Sequence, residues 1–352
     1  MFVRNSEPRG LNGDTVMVKR LILSGLIALL LFASCIEEPT ETPAPSVTPA
    51  PTPSPSLKLP ELTKEAATEN MVLIPAGTFL MGREEREGWS PMAAPETFND
   101  ELPPHRVYVN ALYIDKYEVT NRQFKEFVDA VGYITEAEDH GGSHVLVPAE
   151  QADEIIQGTD IGWKWVEGAS WCAPEGPGSS IDNMMDHSVV HVSWNDANAY
   201  ARWVGKRLPT EAEWEKAARG GTNANWYWGD ELDSAGKYAN LYGEHRKDYT
   251  YPPSVYDGYD RTAPVGSFKP NAYGLYDMAG NVFELVADWY QYDYFSNSPR
   301  DNPEGPANGA ERVIKGGSWY FCECYLRPAN RNSADVHRHD SGLGFRLALD
   351  AD

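Results

Sequence analysis

The stretch GKRLPTEAEWE, residues 205–215, contains the clearest folding signal in this 352-residue chain. Thr210 and Glu213 stand three residues apart, the spacing of a capping box, in which each side chain bonds a free backbone amide at the start of a helix. Trp214 follows at a position that faces inward on such a helix, and Gly220 ends the pattern. The stretch therefore predicts a short amphipathic helix that packs through its tryptophan.

Two earlier segments carry the same kind of start and stop signals. Ser193 opens one helix, which ends at Gly205, and Thr120 caps another, which ends at Gly132. Apolar residues recur at helical spacing after the second cap, at Phe124, Phe127, Val128 and Val131. These signals predict three short helices separated by long segments of other structure.

Strands are predicted before the first helix. Residues 71–82 form an apolar run that Pro75 and Gly77 break, which predicts a strand and a turn. Residues 106–117 alternate enough to predict a second strand. Turn residues dominate after Gly221, so strands there must be short. We therefore predict the α+β class, with a few helices on irregular antiparallel strands and much ordered loop.

Composition limits the function classes. The formal net charge is −22 at pH 7, which argues against binding to the phosphates of nucleic acid. Eleven Trp, 19 Tyr and 30 Gly, together with short apolar runs, indicate many turns with aromatic packing rather than a helical bundle. Four cysteines are too few to staple a domain of this size, so its core must supply the stability.

The N-terminal part has the features of an export signal. Lys19 and Arg20 precede an uncharged stretch, residues 21–36, which falls short of the ~20 residues that span a bilayer. Small residues stand directly before Cys35, as in a lipobox, in which this cysteine is lipidated and becomes the mature N-terminus. An uncleaved membrane anchor is the alternative, and Met17 is a second candidate start.

Three regions follow from this pattern. Residues 1–35 are predicted as a signal peptide with lipobox, residues 36–65 as a linker rich in Pro, Thr and Ser, and residues 68–350 as one globular domain. Anchor, spacer and domain are the architecture of a surface lipoprotein. We therefore expect an extracytoplasmic protein that touches the membrane only through its N-terminal lipid.

Two oxygen-rich stretches offer a reason for so much ordered loop. Asn240 and Asp257 flank a loop that also contains Asp260, and Asp277 and Glu284 lie around a glycine turn. Calcium takes six to eight oxygen ligands from carboxylates and backbone carbonyls. Spacing alone is weak evidence for calcium, because acidic loops are usually just solvated.

An ordered series of stretches resembles the formylglycine-generating enzyme (sulfatase-modifying factor) family. The stretches lie within residues 71–347, at 71–82, 117–121, 132–138, 174–177, 191–197, 205–215, 274–281, 316–318 and 344–346. So many matches in the same order are specific for the fold. The resemblance implies a C-type-lectin-like α+β fold with little regular structure and with bound calcium.

The resemblance also implies two sets of calcium ligands. The first falls on the side chains of Asn240 and Asp257 and on the carbonyls of Leu241 and Tyr259. The second falls on the side chains of Asp277 and Glu284 and on the carbonyls of Gly280 and Val282. All four side chains are chemically suited to a hard cation.

The resemblance implies that catalysis depends on two cysteines that follow shortly after a Gly-Gly-Ser sequence. Their thiolates hold Cu(I), a soft ion that sulfur ligands select, and oxygen then converts a substrate cysteine to formylglycine. Here Ser318 is retained, and Cys322 and Cys324 lie in the corresponding segment. The resemblance therefore implies Ser318, Cys322 and Cys324 as catalytic residues, with both cysteines as copper ligands.

The cysteine segment departs from the family pattern. One residue separates Cys322 from Cys324 where the family has four, and Phe283 replaces a family tryptophan. In an extended strand these sulfurs would share one face, with Cα atoms about 6.5–7 Å apart, so that one metal could lie between them. The alternatives are two structural cysteines in a buried strand, or a disulfide from Cys172 to one of them.

Two functions follow from these observations. One is an oxidase that acts on a cysteine of sulfatase-type polypeptides. The other is a noncatalytic, lipid-anchored module that binds a peptide, protein or glycan on the same scaffold. His337 and His339 form a further candidate metal pair, although histidines in polar loops are mostly solvated.

Overall fold

Local signals explain the five helices of the described residues. In the computed structural model, which describes residues 64–84, 95–156, 160–241 and 256–351, the helices are α1 (Lys64–Ala67), α2 (Asn121–Val131), α3 (Glu136–Asp139), α4 (Trp194–Trp203) and α5 (Glu211–Arg219). The predicted helix starts at Thr120, Ser193 and Thr210 are confirmed, and the capping box predicted for Thr210 forms at the other two positions as well. Gly132 and Gly220 end α2 and α5 in the left-handed conformation that glycine adopts most readily.

The strands are short and more numerous than the sequence predicts. They are β1 (Met71–Ile74), β2 (Gly77–Met81), β3 (His105–Val109), β4 (Leu112–Asp115), β5 (Gly142–Pro148), β6 (Glu154–Ile155), β7 (Ile161–Glu167), β8 (Phe283–Trp289), β9 (Glu311–Lys315), β10 (Asn332–Asp335), β11 (Leu343–Gly344) and β12 (Ala348–Asp350). Residues 71–82 form two strands rather than one strand and a turn, because Pro75 interrupts the run between them. Residues 106–117 likewise hold two strands, with a break at Asn110 and Ala111.

Four small sheets form in this part of the chain. Their strand orders are β1-β4-β12, β2-β3, β5-β7-β6 and β10-β9-β8-β11. All pairings are antiparallel except that of β11 with β8, which places Leu343 opposite Phe283. Few helices, short strands and much ordered loop confirm the predicted α+β class.

The core has two main apolar clusters. One packs α2 and α4 against β8 through Phe124, Tyr200, Phe345 and their neighbours. The other packs α5 against β1, β3 and β4, with Trp214 fully buried at its centre. The predicted inward face of α5 is therefore confirmed. Val131 at the end of α2 is 38% exposed, so the apolar stripe of that helix reaches the core only in part.

No helix among the described residues is long and apolar enough to cross a membrane. The predicted signal peptide, the lipidation site Cys35 and nearly all of the predicted linker lie outside the described residues.

Candidate active site and cation loops

The cysteines lie on a tight turn that begins after β9. Gly317 has φ +73°, and a Cβ there would stand 2.6 Å from Leu326 Cδ1, so glycine is required for the chain to fold back. Cys322 then caps a one-turn 3₁₀ helix, Glu323–Tyr325, and a disulfide joins Cys322 to Cys324. We call residues 322–325 the cysteine turn.

This geometry corrects two expectations for the cysteines. The segment is not an extended strand, because the 3₁₀ turn shortens the Cα–Cα distance between Cys322 and Cys324 to 5.4 Å. The alternative disulfide from Cys172 is wrong as well, since Cys172 is exposed and free. The backbone turn, which sequence spacing did not reveal, is what brings the two sulfurs together.

Ser318 lies at the base of the same loop. Its buried hydroxyl lies 3.2 Å from the carbonyl oxygen of Asn281 and 3.3 Å from that of Gly342, to either of which it can donate. The Phe321 amide donates to the Ser318 carbonyl at 2.9 Å, which closes the turn that leads to the cysteines. Ser318 therefore connects the cysteine turn to the loops that lead into β8 and β11, which lie at the same end of this parallel pair.

Aromatic rings surround this loop. Phe321 contacts Phe283, Tyr320 and Tyr325 at ring-centroid distances of 5.1, 4.6 and 4.5 Å. Phe283, at the family's tryptophan position, is 3% exposed and packs on Phe321 instead of lining open solvent. The environment of the sulfurs is therefore apolar on this side.

The first predicted calcium set lies beside this loop. The Asn240 amide nitrogen donates to the Arg261 carbonyl at 2.8 Å and to Asn281 Oδ1 at 3.2 Å. These bonds orient Asn240 Oδ1 away from Arg261 and Asn281. This buried oxygen has no hydrogen-bond partner among the described residues. The Asp257 carboxylate accepts from the backbone amides of Leu241 at 2.7 Å and Tyr259 at 2.8 Å. The structure thus brings all four predicted residues into one loop cluster.

The second set touches the first. A Cβ on Gly280 would stand 1.9 Å from the Asn240 carbonyl oxygen, so only glycine permits the contact between the two loops. Asp277 Oδ2 accepts from the Gly266 amide at 2.6 Å, whereas Asp277 Oδ1 is buried without a hydrogen-bond partner in the described part of the chain. We call residues 240–241, 256–259 and 277–284 the cation loops.

Glu284 has a different environment from Asp277. Its carboxylate forms a bidentate ion pair with Arg346, at 2.6 and 2.7 Å, and accepts from Trp214 Nε1 at 2.7 Å. All three side chains are fully or almost fully buried. Glu284 is therefore already neutralised by an arginine, and its predicted role as a calcium ligand stays a prediction.

Sequence reasoning missed Glu118. It lies in the family stretch 117–121 and is buried, with Oε1 accepting from Asn281 at 3.1 Å and Oε2 without a hydrogen-bond partner in the described residues. Burial, together with the negative charge of Asp277, raises its pKa well above the usual range of a glutamate. Burial likewise raises the pKa of Asp277 to about 6. Two buried carboxylates with unpartnered oxygens thus share this site.

The histidine pair predicted as a further metal site does not converge. His337 Nδ1 lies 3.0 Å from Glu136 and is largely exposed. His339 instead lies 3.1 Å from His140 and 2.9 Å from Ser143 Oγ, in the interior. Across residues 64–84, 95–156, 160–241 and 256–351, no three His, Cys, Asp or Glu side chains form a metal-binding group. A calcium ion in the cation loops would therefore need amide and carbonyl oxygens as ligands.

The similarity of the chain to known proteins agrees with this geometry. The family described as sulfatase-modifying factor enzyme 1-like domain matches residues 57–351. A formylglycine-generating enzyme of Thermomonospora curvata is 44% identical over 306 residues, which cover 83% of this chain and 97% of that protein.

Two further proteins match this chain at lower identity. A Bos taurus protein named inactive C-alpha-formylglycine-generating enzyme 2 is 40% identical over 296 residues, 81% of this chain and 89% of its own. The structure of PvdO from Pseudomonas aeruginosa matches with a TM-score of 0.59 and 29% identity, over 80% of this chain and 94% of PvdO. The chain belongs to the family of sulfatase-modifying factor enzyme 1-like domains.

Proposed function

We propose that this protein converts a cysteine of sulfatase-type polypeptides to formylglycine. The observation that carries the proposal is the cysteine turn, where two sulfurs meet four to six residues after Ser318 in a buried, largely apolar site. Homologous proteins with this activity, 43–44% identical over most of the chain, support the assignment.

The sulfur donors fit a soft metal. Once the disulfide is reduced, Cys322 and Cys324 would hold Cu(I), which thiolates select over hard cations. Bound copper would supply the redox centre at which oxygen reacts with the substrate cysteine. The protein itself places both thiols on one turn and surrounds them with aromatic rings. Ser318, held by the Asn281 and Gly342 carbonyls, fixes the base of that turn.

The test is a turnover assay on the purified protein. The protein is reduced, loaded with Cu(I), and incubated with oxygen, a thiol reductant and a peptide that contains Cys-x-Pro-x-Arg. Mass spectrometry then follows replacement of the CH₂SH group by an aldehyde, which an aminooxy probe captures. An unmodified peptide, with copper loading verified by metal analysis, contradicts the proposal.

A second candidate function is a binding module without chemistry. The buried Phe283 at the family's tryptophan position and the relative named inactive both favour it. Its partner would be another extracytoplasmic protein, a peptide or a glycan. Stoichiometric Cu(I) binding by the reduced protein, lost when either cysteine of the turn is replaced, would argue strongly against this function.

We also propose calcium as a structural cofactor of the cation loops. Three buried oxygens that have no hydrogen-bond partner among the described residues support it, on Asn240, Asp277 and Glu118. A buried polar atom without a partner is costly, and carboxylates beside one another repel, so a cation would relieve both. Calcium would hold the loops that flank Ser318, without taking part in oxidation. Metal analysis of the protein after dialysis against calcium measures its content.

The anchoring of the protein is a separate proposal. A lipid on Cys35 would tether the domain outside the cytoplasmic membrane through the Pro-rich linker. Cys35→Ala is expected to abolish lipid attachment, so that the protein leaves the membrane fraction if it is processed at another site and stays there if the signal peptide remains attached. Mass spectrometry of the mature N-terminus measures the lipid directly, and an unmodified Cys35 contradicts the proposal.

A further inference from the structure

A short segment covers the cysteine turn. The 3₁₀ segment Pro95–Glu101, which we call the cover, places Phe98 in one apolar cluster with Cys322, Cys324 and Tyr325. Phe98 is 2% exposed, and its ring meets that of Tyr325 edge-on at a centroid distance of 5.3 Å. The cysteines beneath are 4% and 0% exposed. Neither a metal carrier nor a substrate polypeptide reaches the sulfurs in this conformation.

One carboxylate fastens the cover. Glu101 is fully buried and accepts from both terminal nitrogens of Arg327, at 2.5 and 2.6 Å. It also accepts from Arg83 Nε and from the Asn330 amide, each at 3.1 Å. Hydrogen bonds between charged groups are the stronger ones in proteins, and a buried carboxylate with several donors resists removal. The C-terminal end of the cover is therefore firmly held.

Arg327 connects the cover to the cysteines themselves. Its Nε donates to the Cys324 carbonyl at 2.9 Å, and its guanidinium lies 4.8 Å from the centre of the Phe98 ring. The same side chain thus holds the cysteine turn, the Glu101 carboxylate and the Phe98 ring. Arg327 therefore couples the cover to the cysteine turn, in addition to the direct packing of Phe98 on the cysteines.

The cover has a natural place to bend. Phe98 has φ −120° and ψ 30°, which interrupts the 3₁₀ geometry in the middle of the segment. On its C-terminal side, Asp100 accepts from Tyr290 at 2.9 Å through its carboxylate and from Arg331 at 3.1 Å through its carbonyl. At Phe98 itself, the carbonyl accepts from Arg83 Nη2 at 3.0 Å. The backbone thus departs from 3₁₀ geometry at Phe98, whereas Glu101 beyond this point is held by charged donors.

We propose that Phe98 is a gate over the cysteine turn. Glu101 and Arg327 are positioning residues that fix the position of the cover relative to the cysteine turn. Phe98 must swing away from the sulfurs before copper or a substrate cysteine reaches them, while Glu101 stays in place. The gate shields the soft sulfur site from solvent oxidants between turnovers. Its role for copper and substrate rests on the proposed function, but the control of access to the sulfurs does not.

The experiment measures access to the sulfurs in the folded, full-length protein. Dithiothreitol reduces the Cys322–Cys324 disulfide, supplying two electrons and becoming a cyclic disulfide. Excess maleimide then stops the reaction at timed points, and peptide mass spectrometry measures the label on Cys322 and Cys324 separately from that on the free Cys172. Phe98→Leu removes the ring but keeps an apolar side chain, and we expect reduction to become about three- to tenfold faster, since the edge-on aromatic contact is lost. Phe127→Leu, at an equally buried phenylalanine in the core around α2, is the matched control.

The outcomes separate the gate from general destabilisation. Faster reduction in Phe98→Leu with an unchanged rate in Phe127→Leu supports the gate, and equal rates in Phe98→Leu and wild type overturn it. The same acceleration in both variants also overturns it, because loosening of the whole domain then suffices. If Phe98→Leu does not fold, Phe98→Met, which retains more of the buried volume, is compared in the same way.

The positioning role of Arg327 needs a readout other than stability. Arg327→Lys keeps a positive charge for Glu101 but loses the planar pair and the bond to the Cys324 carbonyl. We expect its Cu(I) dissociation rate, measured by transfer to a chelator, to rise severalfold while its thermal stability falls little. An unchanged dissociation rate overturns the positioning role. Faster disulfide reduction without oxidase activity would leave the gate in place and contradict the proposed function alone.

Discussion

The cysteine turn and the cation loops lie side by side, yet they are built in opposite ways. Around the cysteines, aromatic rings exclude water, and the backbone carbonyls of Glu323 and Cys324 have donors from Trp226 and Arg327. In the cation loops and at the adjacent Glu118, three buried oxygens, on Asn240, Asp277 and Glu118, lack a hydrogen-bond partner in the described residues. The polar groups named around the cysteines are therefore satisfied by the protein itself, whereas these three oxygens are not satisfied by the described residues.

Under the copper and calcium proposals above, the two regions would be two different kinds of metal site. The sulfur ligands would take up a soft metal only after the proposed gate over them opens. A structural hard cation stays bound, so its ligands can depend on it for their charge balance. Arg346 illustrates the point, because it neutralises Glu284 but leaves Asp277 and Glu118 without a direct ion pair in the described residues.

The largest expected effect comes from replacing a cysteine of the cysteine turn. Cys322→Ser or Cys324→Ser is expected to lower formylglycine formation by more than about 10³-fold, because residues that act as one unit lose function together. Cys172→Ser, at the exposed free cysteine, is the matched control and is expected to retain full activity. The peptide assay described above measures all three. Activity that survives in the Cys322 and Cys324 variants would place the chemistry elsewhere.

The second-largest expected effect comes from removing calcium from the cation loops, where it is proposed to bind. Removal of calcium by a chelator is expected to lower the stability of the domain by about 3–4 kcal/mol at a calcium concentration 100–1,000 times its dissociation constant. For a domain of this size that corresponds to roughly 5–10 °C in Tm. Thermal melts with and without chelator measure it.

Matched variants sharpen this second test. Asp277→Asn is expected to abolish the calcium dependence, whereas Asp129→Asn, at an exposed ion pair with Lys125, is expected to leave it unchanged. Cys322→Ser should keep the full calcium response if the two regions bind different metals. A loss of calcium response in Cys322→Ser would break the comparison, since one site would then serve both functions.

A smaller expected effect concerns a buried histidine outside both regions and its contribution to the pH dependence of stability. Burial lowers the pKa of His191 to about 4, from an ordinary value near 6.5. In the unfolded chain His191 therefore binds a proton below about pH 6.5, whereas in the folded protein it binds one only below about pH 4. Stability from this residue is fully present above pH 6.5 and falls as the pH drops, by about 2–3 kcal/mol at pH 4.

Urea unfolding at pH 7.5, 5.5 and 4.5 measures this dependence. His191 has φ +60°, so His191→Asn is the suitable variant, because asparagine tolerates the left-handed backbone. The variant is expected to lose less stability than wild type between pH 7.5 and 4.5. Parallel pH profiles for the two proteins would show that other groups dominate the acid response.

Much of the fold follows from local sequence. Helices begin at Thr120, Ser193 and Thr210 as predicted, with the predicted capping box at Thr210, and Gly132 and Gly220 end helices where the pattern ends. These features are predictable because a cap and its partner lie within four residues. The strands were predicted less well, since pairing partners such as β4 and β12 lie more than 200 residues apart.

The site was predictable in its residues but not in its geometry. The resemblance named the calcium-loop residues and both cysteines, and the structure gathers each set in one place. The 3₁₀ turn at the cysteines, the unpartnered oxygen of Glu118 and the cover were missed. The only sequence signal for Glu118 was its place in a family stretch, which assigned no role to its carboxylate.

The sequence by itself determined the helix caps, the glycines that permit tight turns and the donor types, sulfur in one segment and oxygen in others. Only the tertiary structure decided what those groups do. Glu284 and Asp277 are both buried carboxylates of one loop, yet one meets Arg346 and the other does not. The reason is physical, because the state of a buried charge depends on neighbours within a few ångströms that come from distant parts of the chain.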